Sequence, residues 1–417
     1  MITMTNDLLP WRHARALSRL PHEFKGALAW RGDGAHRVGW TIAEAAETPL
    51  AVIRESALIH NAARMRDYCQ NAGFLLAPHA KTTMSPELIE YQVQTGAWAF
   101  AVATAYQARR AMDFGARRIM LAAEVIDHEA LIDLMQRHQD GRCDDLMFFI
   151  DSARALDAVG QAAAVVSPDY RGHVLIELGH QGGRTGIRGV DAAIALARAA
   201  HDVGNVYLRG VSGYEGTVPG IRTEEGLARV DTFLDELRDC ALAVQPLLAD
   251  DALVTVGGSM YLDRVADRLR ELPLQGLPVA VRSGCYLTHD HGLYETASHT
   301  TPLPTWQAGI EVWARIISAA EPTLVIANAG RRDLSYDQGL PMVVKVMADG
   351  RSAPISGPTV FALSDQHSWI RDEQEHLSTG DLIGLGISHP CTTFDSWQVF
   401  AVVDNNDVVV GVCSTYF

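Results

Sequence analysis

From Leu50 onward, short apolar runs alternate with stretches whose apolar residues recur at helical spacing. Leu58, Ala62 and Met65 show this spacing and share one face of a predicted helix. Leu50 to Ile53 is a lead-in strand, and eight further apolar runs follow it. These eight runs are Phe74 to Pro78, Ala97 to Val102, Arg118 to Ala123, Leu146 to Ile150, His173 to Leu178, Val206 to Val211, Leu253 to Val256, and Val279 to Arg282.

The pattern predicts an α/β fold. Eight strands separated by helical segments are typical of a closed TIM-like (β/α)8 barrel, although an open doubly wound sheet of eight strands would give the same periodicity. After about Leu303 the sequence consists of short valine- and isoleucine-rich runs with turn residues between them. This pattern predicts a second, mostly antiparallel β domain. We therefore expect an N-terminal arm over residues 1–46, which could pack with the β domain, a barrel over 47–303 and a β domain over 304–417.

Composition narrows the classes of function. The 417 residues are 48% hydrophobic and 20% charged, and the formal net charge is -15. An acidic chain without clustered basic residues argues against nucleic acid and anionic membranes as partners. The six cysteines are dispersed with no Cys-x-x-Cys, and no run approaches a membrane span, so we expect a cytoplasmic enzyme that acts on a small molecule.

Lys81 is the strongest single candidate for chemistry. The apolar run that begins at Phe74 breaks at Pro78, which places Lys81 where a buried strand would emerge. A partly desolvated lysine has a lowered pKa and can form a Schiff base with a carbonyl group. The sequence thus predicts a partly buried, nucleophilic amine at the mouth of the barrel.

Other polar residues fall after later strands, at the rim where the loops of such a barrel converge. Each has an ordinary structural alternative as turn glycine, surface charge or core aromatic residue, and only their convergence is informative. The group after the seventh strand could bind a phosphate through backbone amides and a hydroxyl, but no nucleotide motif is present. The rim candidates are Arg184, Thr185, Tyr214, Gly257, Gly258, Ser259 and Tyr286.

A second signal lies in the predicted β domain, in the segment Ser388 to Asp395. On an extended backbone, His389 and Cys391 would project to the same side, where both could bind one zinc ion and leave positions open. Two ligands are too few for a structural site, and a His-x-Cys pair is also commonly a packed pair. Asp395 is near enough in sequence to orient the ligands.

These motifs together resemble the D-serine dehydratase and D-threonine aldolase family, whose members are pyridoxal 5'-phosphate enzymes similar in fold to alanine racemase. The resemblance spans about 50–417. The segment Pro78 to Thr82 matches the cofactor-lysine motif, and His389 to Asp395 resembles the metal segment of the dehydratase branch, since the aldolase branch usually has aspartate at the position of Cys391. Departures at Ala77, after Thr82 and before Arg184 place the chain in an outlying subgroup.

The resemblance implies roles for the candidates. Lys81 would form the Schiff base with pyridoxal phosphate and remove the α-proton of a D-3-hydroxyamino acid such as D-serine. His389 and Cys391 would hold Zn²⁺, which would assist loss of the β-hydroxyl, so that the products are a 2-oxo acid and ammonia. The resemblance also implies a homodimer. The remaining implied cofactor contacts are His79, Arg184, Thr185, Tyr214, Gly257, Gly258, Ser259 and Tyr286.

Three alternatives remain open at this point. A D-threonine-type aldolase would use the same cofactor and metal to release glycine and an aldehyde. A racemase would need a second base and no metal. A carrier of pyridoxal phosphate would bind the cofactor without turnover.

Overall fold

The computed structural model describes residues 9–13, 25, 38–45, 47–298 and 305–417. Most of the predicted N-terminal arm and the predicted domain boundary at 303/304 lie outside these residues. The described part of the arm lies on the β domain: Thr41 bridges to Val408, and the short turn Pro10–Arg12 packs near Gly411. Trp11 also stacks edge-on against Tyr91 of a barrel helix, with ring centroids 4.8 Å apart.

An eight-stranded parallel sheet forms the first layer, as predicted. Its strands pair in the order β2-β9-β8-β7-β6-β5-β4-β3. The edge strands β2 and β3 are joined by backbone hydrogen bonds from Trp98 to Leu76 (2.7 Å) and from Ala101 to Pro78 (2.9 Å), which close the sheet on itself. The strands are β2 (Leu75–Leu76), β3 (Phe100–Val102), β4 (Arg118–Leu121), β5 (Asp145–Ile150), β6 (Gly172–Leu178), β7 (Val206–Gly213), β8 (Leu253–Val256) and β9 (Val279–Val281).

Helices surround this barrel and bury one apolar face each. In α8, for example, Phe233, Leu237 and Cys240 are all buried at helical spacing. The helices before, between and after the barrel strands are α1 (Ile42–Ala45), α2 (Glu55–Ala72), α3 (Pro86–Gln94), α4 (Ala105–Asp113), α5 (His128–Gln139), α6 (Ala153–Val166), α7 (Val190–Asp202), α8 (Glu224–Val244), α9 (Leu262–Leu269) and α10 (Leu293–Ser298).

The barrel interior is packed with side chains. Met120, Met147 and Phe149 are among a buried cluster that the inner faces of the strands contribute. The guanidinium of Arg282 is also buried there, 5.1 Å from the ring of Phe149, and donates to Gly213 O at 2.7 Å. The barrel is therefore a filled core, and open space for a ligand lies at its mouth.

The second sheet is mostly antiparallel, as predicted. Its main path is β13-β12-β16-β10-β1-β17-β18, and β11, β15 and β14 extend it from β10. Its elements are β1 (Leu50–Arg54), β10 (Ile310–Glu321), β11 (Leu324–Ala327), β12 (Met342–Ala348), β13 (Arg351–Pro354), β14 (Thr359–Leu363), β15 (Ser368–Arg371), β16 (Leu382–Gly386), α11 (Pro390–Asp395), β17 (Val399–Val403) and β18 (Val409–Ser414).

The lead-in strand β1 belongs to this second sheet. It lies between β10, to which it is antiparallel, and β17, to which it is parallel. The predicted boundary at residue 47 assigns β1 to the barrel domain, whereas its hydrogen bonds place it in the centre of the β domain. All five of its residues are buried, which explains why Leu50 to Ile53 are apolar, and the fifth residue, Arg54, is paired with Glu311.

No helix among the described residues is both long enough and apolar enough to cross a membrane.

Candidate active site

Lys81 lies at the mouth of the barrel. It is the middle residue of the single 3-10 turn Ala80–Thr82, which follows β2 and which we call the lysine turn. The residue is exposed, so the predicted partial desolvation of its amine is wrong for this structure. Pro78 ends the strand as the sequence indicates, but the turn directs the side chain outward from the closed sheet.

The three lysines of the chain differ in what their amines contact. Lys25 donates to Arg332 O at 2.6 Å and to the carboxylate of Asp333 at 3.0 Å. Lys345 donates to Glu311 at 2.6 Å. Lys81 makes no hydrogen bond or ion pair with any residue that the structure describes. Its amine is thus available for reaction.

His79 precedes the lysine turn and carries a buried ring atom, Nδ1, with no partner among the described residues. Burial lowers the pKa of His79 well below its ordinary value, and the positive charges of Lys81, Arg282 and Arg184 lower it further. The imidazole is therefore neutral at physiological pH. An unpartnered buried nitrogen beside a free amine is the kind of group that a bound ligand would satisfy.

Arg184, Thr185 and Tyr214 come together, as predicted for residues at the ends of neighbouring strands. They line one pocket at the carboxyl ends of β6 and β7, with Glu177 and His180 on its other walls. The guanidinium of Arg184 lies over the ring of Tyr214, 5.8 Å from its centroid. Cation and ring thus form one flat platform at the barrel mouth.

The glycines after β8 serve first to let other groups approach. A Cβ on Gly257 would lie 2.3 Å from the ring of Tyr214, and Gly258 has a φ of 103°. The amide of Gly258 donates to the buried carboxyl group of Glu215, so this amide is engaged within the protein. The polar groups nearest to the predicted phosphate position are then the hydroxyls of Ser259 and Ser283, 3.0 Å apart.

Tyr286 faces away from these groups. Its hydroxyl accepts a hydrogen bond from Gln92 of α3 at 3.3 Å, and its ring packs against Trp306. Burial raises the pKa of this phenol, a direction that suits a core tyrosine. The predicted contact of Tyr286 with the cofactor stays a prediction.

Acidic residues near the ends of β4, β5 and β6 complete the mouth. Burial raises the pKa of Glu124 to about 8, and a hydrogen bond and the negative charge of neighbouring Glu177 add to the effect. A second negative charge is costly beside the first, so Glu124 keeps its proton above its ordinary pKa. Asp151 accepts from Gly186 N at 3.1 Å and so fixes the loop that carries Arg184. The sequence pattern did not single out Glu124 or Asp151.

The predicted metal segment is a helix start and not an extended strand. His389 is the N-cap of α11, and Cys391 lies in its first turn. The two side chains nevertheless converge, together with Cys285 from the loop after β9. One ligand atom from each of the three residues lies within 4.8 Å of the others, and we call them the Cys2His group.

The Cys2His group adjoins the lysine turn. Thr82 Oγ1 lies 3.6 Å from the sulfur of Cys391, and Thr82 is the residue after Lys81. A Cβ on Gly284 would lie 2.5 Å from Thr82 Oγ1, so only glycine permits the loop that carries Cys285 to approach so closely. The amine and the candidate metal ligands therefore occupy one site at the domain interface.

Asp337, which the sequence analysis missed, orients the imidazole. Its carboxylate lies 2.6 Å from His389 Nδ1 and also accepts a hydrogen bond from Thr392 at 2.7 Å. Asp395, the residue expected in this role, is exposed at the far end of α11, so that expectation is wrong. A carboxylate on Nδ1 leaves Nε2 to face a metal ion.

Two family models match the chain. Residues 53–249 match the model described as alanine racemase, N-terminal domain, and residues 309–403 match the model described as putative serine dehydratase domain. A D-threonine aldolase from an Arthrobacter species is 26% identical over 367 residues, which cover 86% of this chain and 89% of that protein.

Solved structures resemble the whole chain. The D-threonine aldolase of Filomicrobium marinum has a TM-score of 0.76 at 21% identity and covers 91% of this chain and 97% of its own. The D-threo-3-hydroxyaspartate dehydratase of Delftia sp. HT23 has a TM-score of 0.72 at 22% identity. The match covers 89% of this chain and 98% of the dehydratase chain.

The barrel and the β domain together define the alanine racemase-like fold. Within that class, the chain belongs to the family that contains the serine dehydratases and D-threonine aldolases of D-3-hydroxyamino acids. This family implies pyridoxal phosphate, and the residues fit it: the site offers a free amine, the Arg184–Tyr214 platform and the unpartnered His79 nitrogen.

Proposed function

We propose that this protein is a pyridoxal-phosphate-dependent, metal-assisted dehydratase that converts a D-3-hydroxyamino acid such as D-serine to a 2-oxo acid and ammonia. The observation that supports the proposal is the contact between the lysine turn and the Cys2His group, which would let the amine of Lys81 and a bound metal ion act on one substrate. A reaction that removes an α-proton and a β-hydroxyl from neighbouring carbons needs this proximity.

Each residue of the site has a proposed task. Lys81 would hold the cofactor through its amine and then remove the α-proton, because it is the lysine without another partner among the described residues. Arg184 and Tyr214 would support the cofactor ring, with Thr185 beside them. The hydroxyl of Ser259 would face the phosphate, for which Gly257 and Gly258 would leave room. When bound, pyridoxal phosphate supplies an electron sink for the carbanion, and the metal ion supplies a Lewis acid for the departing hydroxyl.

The test of cofactor attachment is the Lys81→Ala variant. Purified wild-type protein loaded with pyridoxal phosphate should show the visible absorbance of a lysine-bound cofactor, and the variant should lose it. Lys25→Arg is the matched control, since this lysine is held by Asp333 and should leave the absorbance unchanged. Borohydride reduction followed by peptide mapping has only three lysines to distinguish, and a label on Lys25 or Lys345 would refute the assignment.

The test of the reaction is product analysis. D-serine, D-threonine and D-threo-3-hydroxyaspartate are each incubated with the protein, and 2-oxo acid, ammonia, glycine and aldehyde are measured. Oxo acid and ammonia in equal amounts support the dehydratase.

A chelator that removes the metal should stop this turnover while the cofactor absorbance remains, and unchanged turnover would refute the role of the metal.

An aldolase is the second candidate, because two of the relatives above are described as D-threonine aldolases. It would release glycine and an aldehyde from the same substrates. We rank it second because Cys391 stands where the aldolase branch usually has aspartate. The homodimer and the cytoplasmic location expected from the sequence remain proposals, and sedimentation of the purified protein tests the first.

A further inference from the structure

We propose that Cys285 is a third protein ligand of the metal, so that two thiolates and one imidazole hold the ion between the barrel and the β domain. This inference rests on the metal role proposed above and adds to it a ligand from the other domain. The pair predicted from the sequence, His389 and Cys391, is local to one helix start. Cys285 comes from the loop after β9, 104 residues earlier in the chain than His389.

The distances suit one tetrahedral ion. Zinc bonds to thiolate sulfur at about 2.3 Å, and two such bonds at the tetrahedral angle put the sulfurs roughly 3.8 Å apart. The sulfurs of Cys285 and Cys391 are 3.7 Å apart. The imidazole of His389 offers a ligand atom within 4.8 Å of both sulfurs, so all three side chains reach the same small volume.

The protein also builds the surroundings that a metal ligand needs. Cys285 is 4% exposed, which excludes competing water from the sulfur, and the absent side chain at Gly284 lets it reach Thr82 and Cys391. Asp337 fixes the tautomer and orientation of His389 from the other side. A metal site differs from a chance cluster because its ligands are close together, shielded from water and oriented by a neighbouring carboxylate.

A third ligand changes what the metal can do. Three protein ligands in a tetrahedral site leave one position, which a water molecule or the substrate hydroxyl can take. Two thiolates select zinc over the oxygen-preferring ions magnesium and manganese. The substrate hydroxyl would therefore be bound at a single fixed position beside the lysine turn, which confines elimination to substrates whose β-oxygen reaches that point.

The experiment is a cobalt titration of reduced, metal-stripped protein, because Co²⁺ takes zinc sites and shows one near-ultraviolet charge-transfer contribution per bound thiolate. We expect the Cys285→Ala variant to show roughly half of the wild-type intensity per bound cobalt, since one of two thiolate ligands is removed. We also expect its zinc affinity to fall more than about 100-fold, because loss of an outer partner alone costs up to that much.

Cys143→Ala is the matched control. Cys143 is equally buried but precedes β5, at the opposite end of the barrel, so its loss should change neither the cobalt spectrum nor the zinc affinity. Circular dichroism of both variants establishes that they are folded. If Cys285→Ala does not fold, alkylation of the wild-type protein with and without zinc still tests whether Cys285 is a ligand. Zinc should then protect both Cys285 and Cys391 from alkylation.

Three results would overturn the inference: equal cobalt intensity in Cys285→Ala and wild type, protection of Cys391 alone, or a Cys285–Cys391 disulfide in zinc-loaded protein. None of these readouts needs turnover. A protein that binds cobalt through two thiolates but does not act on D-3-hydroxyamino acids would uphold the ligand set and refute the proposed function. Turnover together with a cobalt spectrum of only one thiolate would uphold the proposed function and refute Cys285 as a ligand.

Discussion

Asp337 shows how a single carboxylate prepares His389 for a metal ion. Its oxygen lies 2.6 Å from Nδ1, and its second oxygen is held by Thr392. Asp337→Asn keeps the size and the bond from Thr392 but puts an amide donor where an acceptor is needed. We expect zinc affinity to fall about 10- to 100-fold, the usual cost of losing such a partner.

A competition assay with a chromophoric chelator measures this affinity. Asp395→Asn is the control, because that side chain is exposed on the same short helix and should leave zinc binding unchanged. Equal weakening in both variants would mean that the net charge near the site matters and the orientation of His389 does not.

Local patterns in the sequence were enough to find Lys81, His389 and Cys391, because a strand that breaks at proline and a His-x-Cys pair are both visible within a few residues. Cys285 and Asp337 were not found as metal-site residues. Each reaches the site through a chain separation of more than fifty residues, and spacing carries no information about such contacts. The exposure of Lys81 was also mispredicted, because the turn after Pro78 carries it outward.

At the level of elements, strands β1, β10 and β12 are joined by a buried ion-pair network around Glu311. Burial by itself would raise the pKa of Glu311, but the charges and hydrogen bonds of Arg54 and Lys345 outweigh it and hold the pKa at about 2. Arg54 donates at 2.8 Å and Lys345 at 2.6 Å. The network therefore depends on an ionised Glu311.

We expect Glu311→Gln to lower the free energy of unfolding by about 3 kcal/mol at neutral pH, because it removes the carboxylate that buried Arg54 and half-buried Lys345 share. The folded-state pKa lies below the ordinary 4.5, so the contribution is complete above pH 4.5 and is lost as the pH falls towards 2. The difference between wild type and variant should therefore shrink over that window. Glu321→Gln, at the exposed end of β10, is the control.

Urea unfolding at several pH values measures this difference. A gap between Glu311→Gln and wild type that stays constant from pH 7 to pH 3 would contradict the depressed pKa. A variant as stable as wild type at neutral pH would show that the cations find other partners.

Predicting the elements from sequence succeeded where a pattern was long or strongly apolar. The apolar runs of the β domain correspond to β10, β11, β12, β14, β16, β17 and β18. The pattern does not predict β13 and β15, because each has four residues and few apolar side chains. Helix α11 was read as extended, since His389 before Pro390 fits a strand as well as an N-cap. Only the packing of the segment against the lysine turn distinguishes a helix start from a strand here.

At the scale of the whole molecule, the eight barrel strands were predictable because each is buried and flanked by a helix. The place of β1 was not. It pairs in parallel with β17, so that Val52 lies opposite Ala401, and a contact between such distant segments leaves no periodic signal. Strands β17 and β18 thus lie in the same sheet as β1, and Tyr416, which follows β18, reaches the segment after the lysine turn.

The C-terminal residues hold the segment that follows Lys81. Tyr416 N donates to Met84 O at 3.0 Å, and Tyr106 donates to Tyr416 O at 3.1 Å. Met84 has a φ of 41°, a left-handed conformation that is costly for a methionine and that needs such support. Tyr416 therefore couples the end of the β domain to the lysine turn.

Deletion of residues 415–417 should loosen this segment while the barrel stays folded. The loss of one backbone hydrogen bond, worth about 1 kcal/mol, should speed amide exchange at 80–86 about fivefold. Hydrogen–deuterium exchange with peptide mapping measures this, and Tyr416→Phe, which keeps the backbone bonds and the ring contact with Phe114, is the control. Wild-type exchange at 80–86 in the truncated chain, or equal acceleration in barrel strands far from the lysine turn, would show that the C-terminal contact does not hold the lysine turn in place.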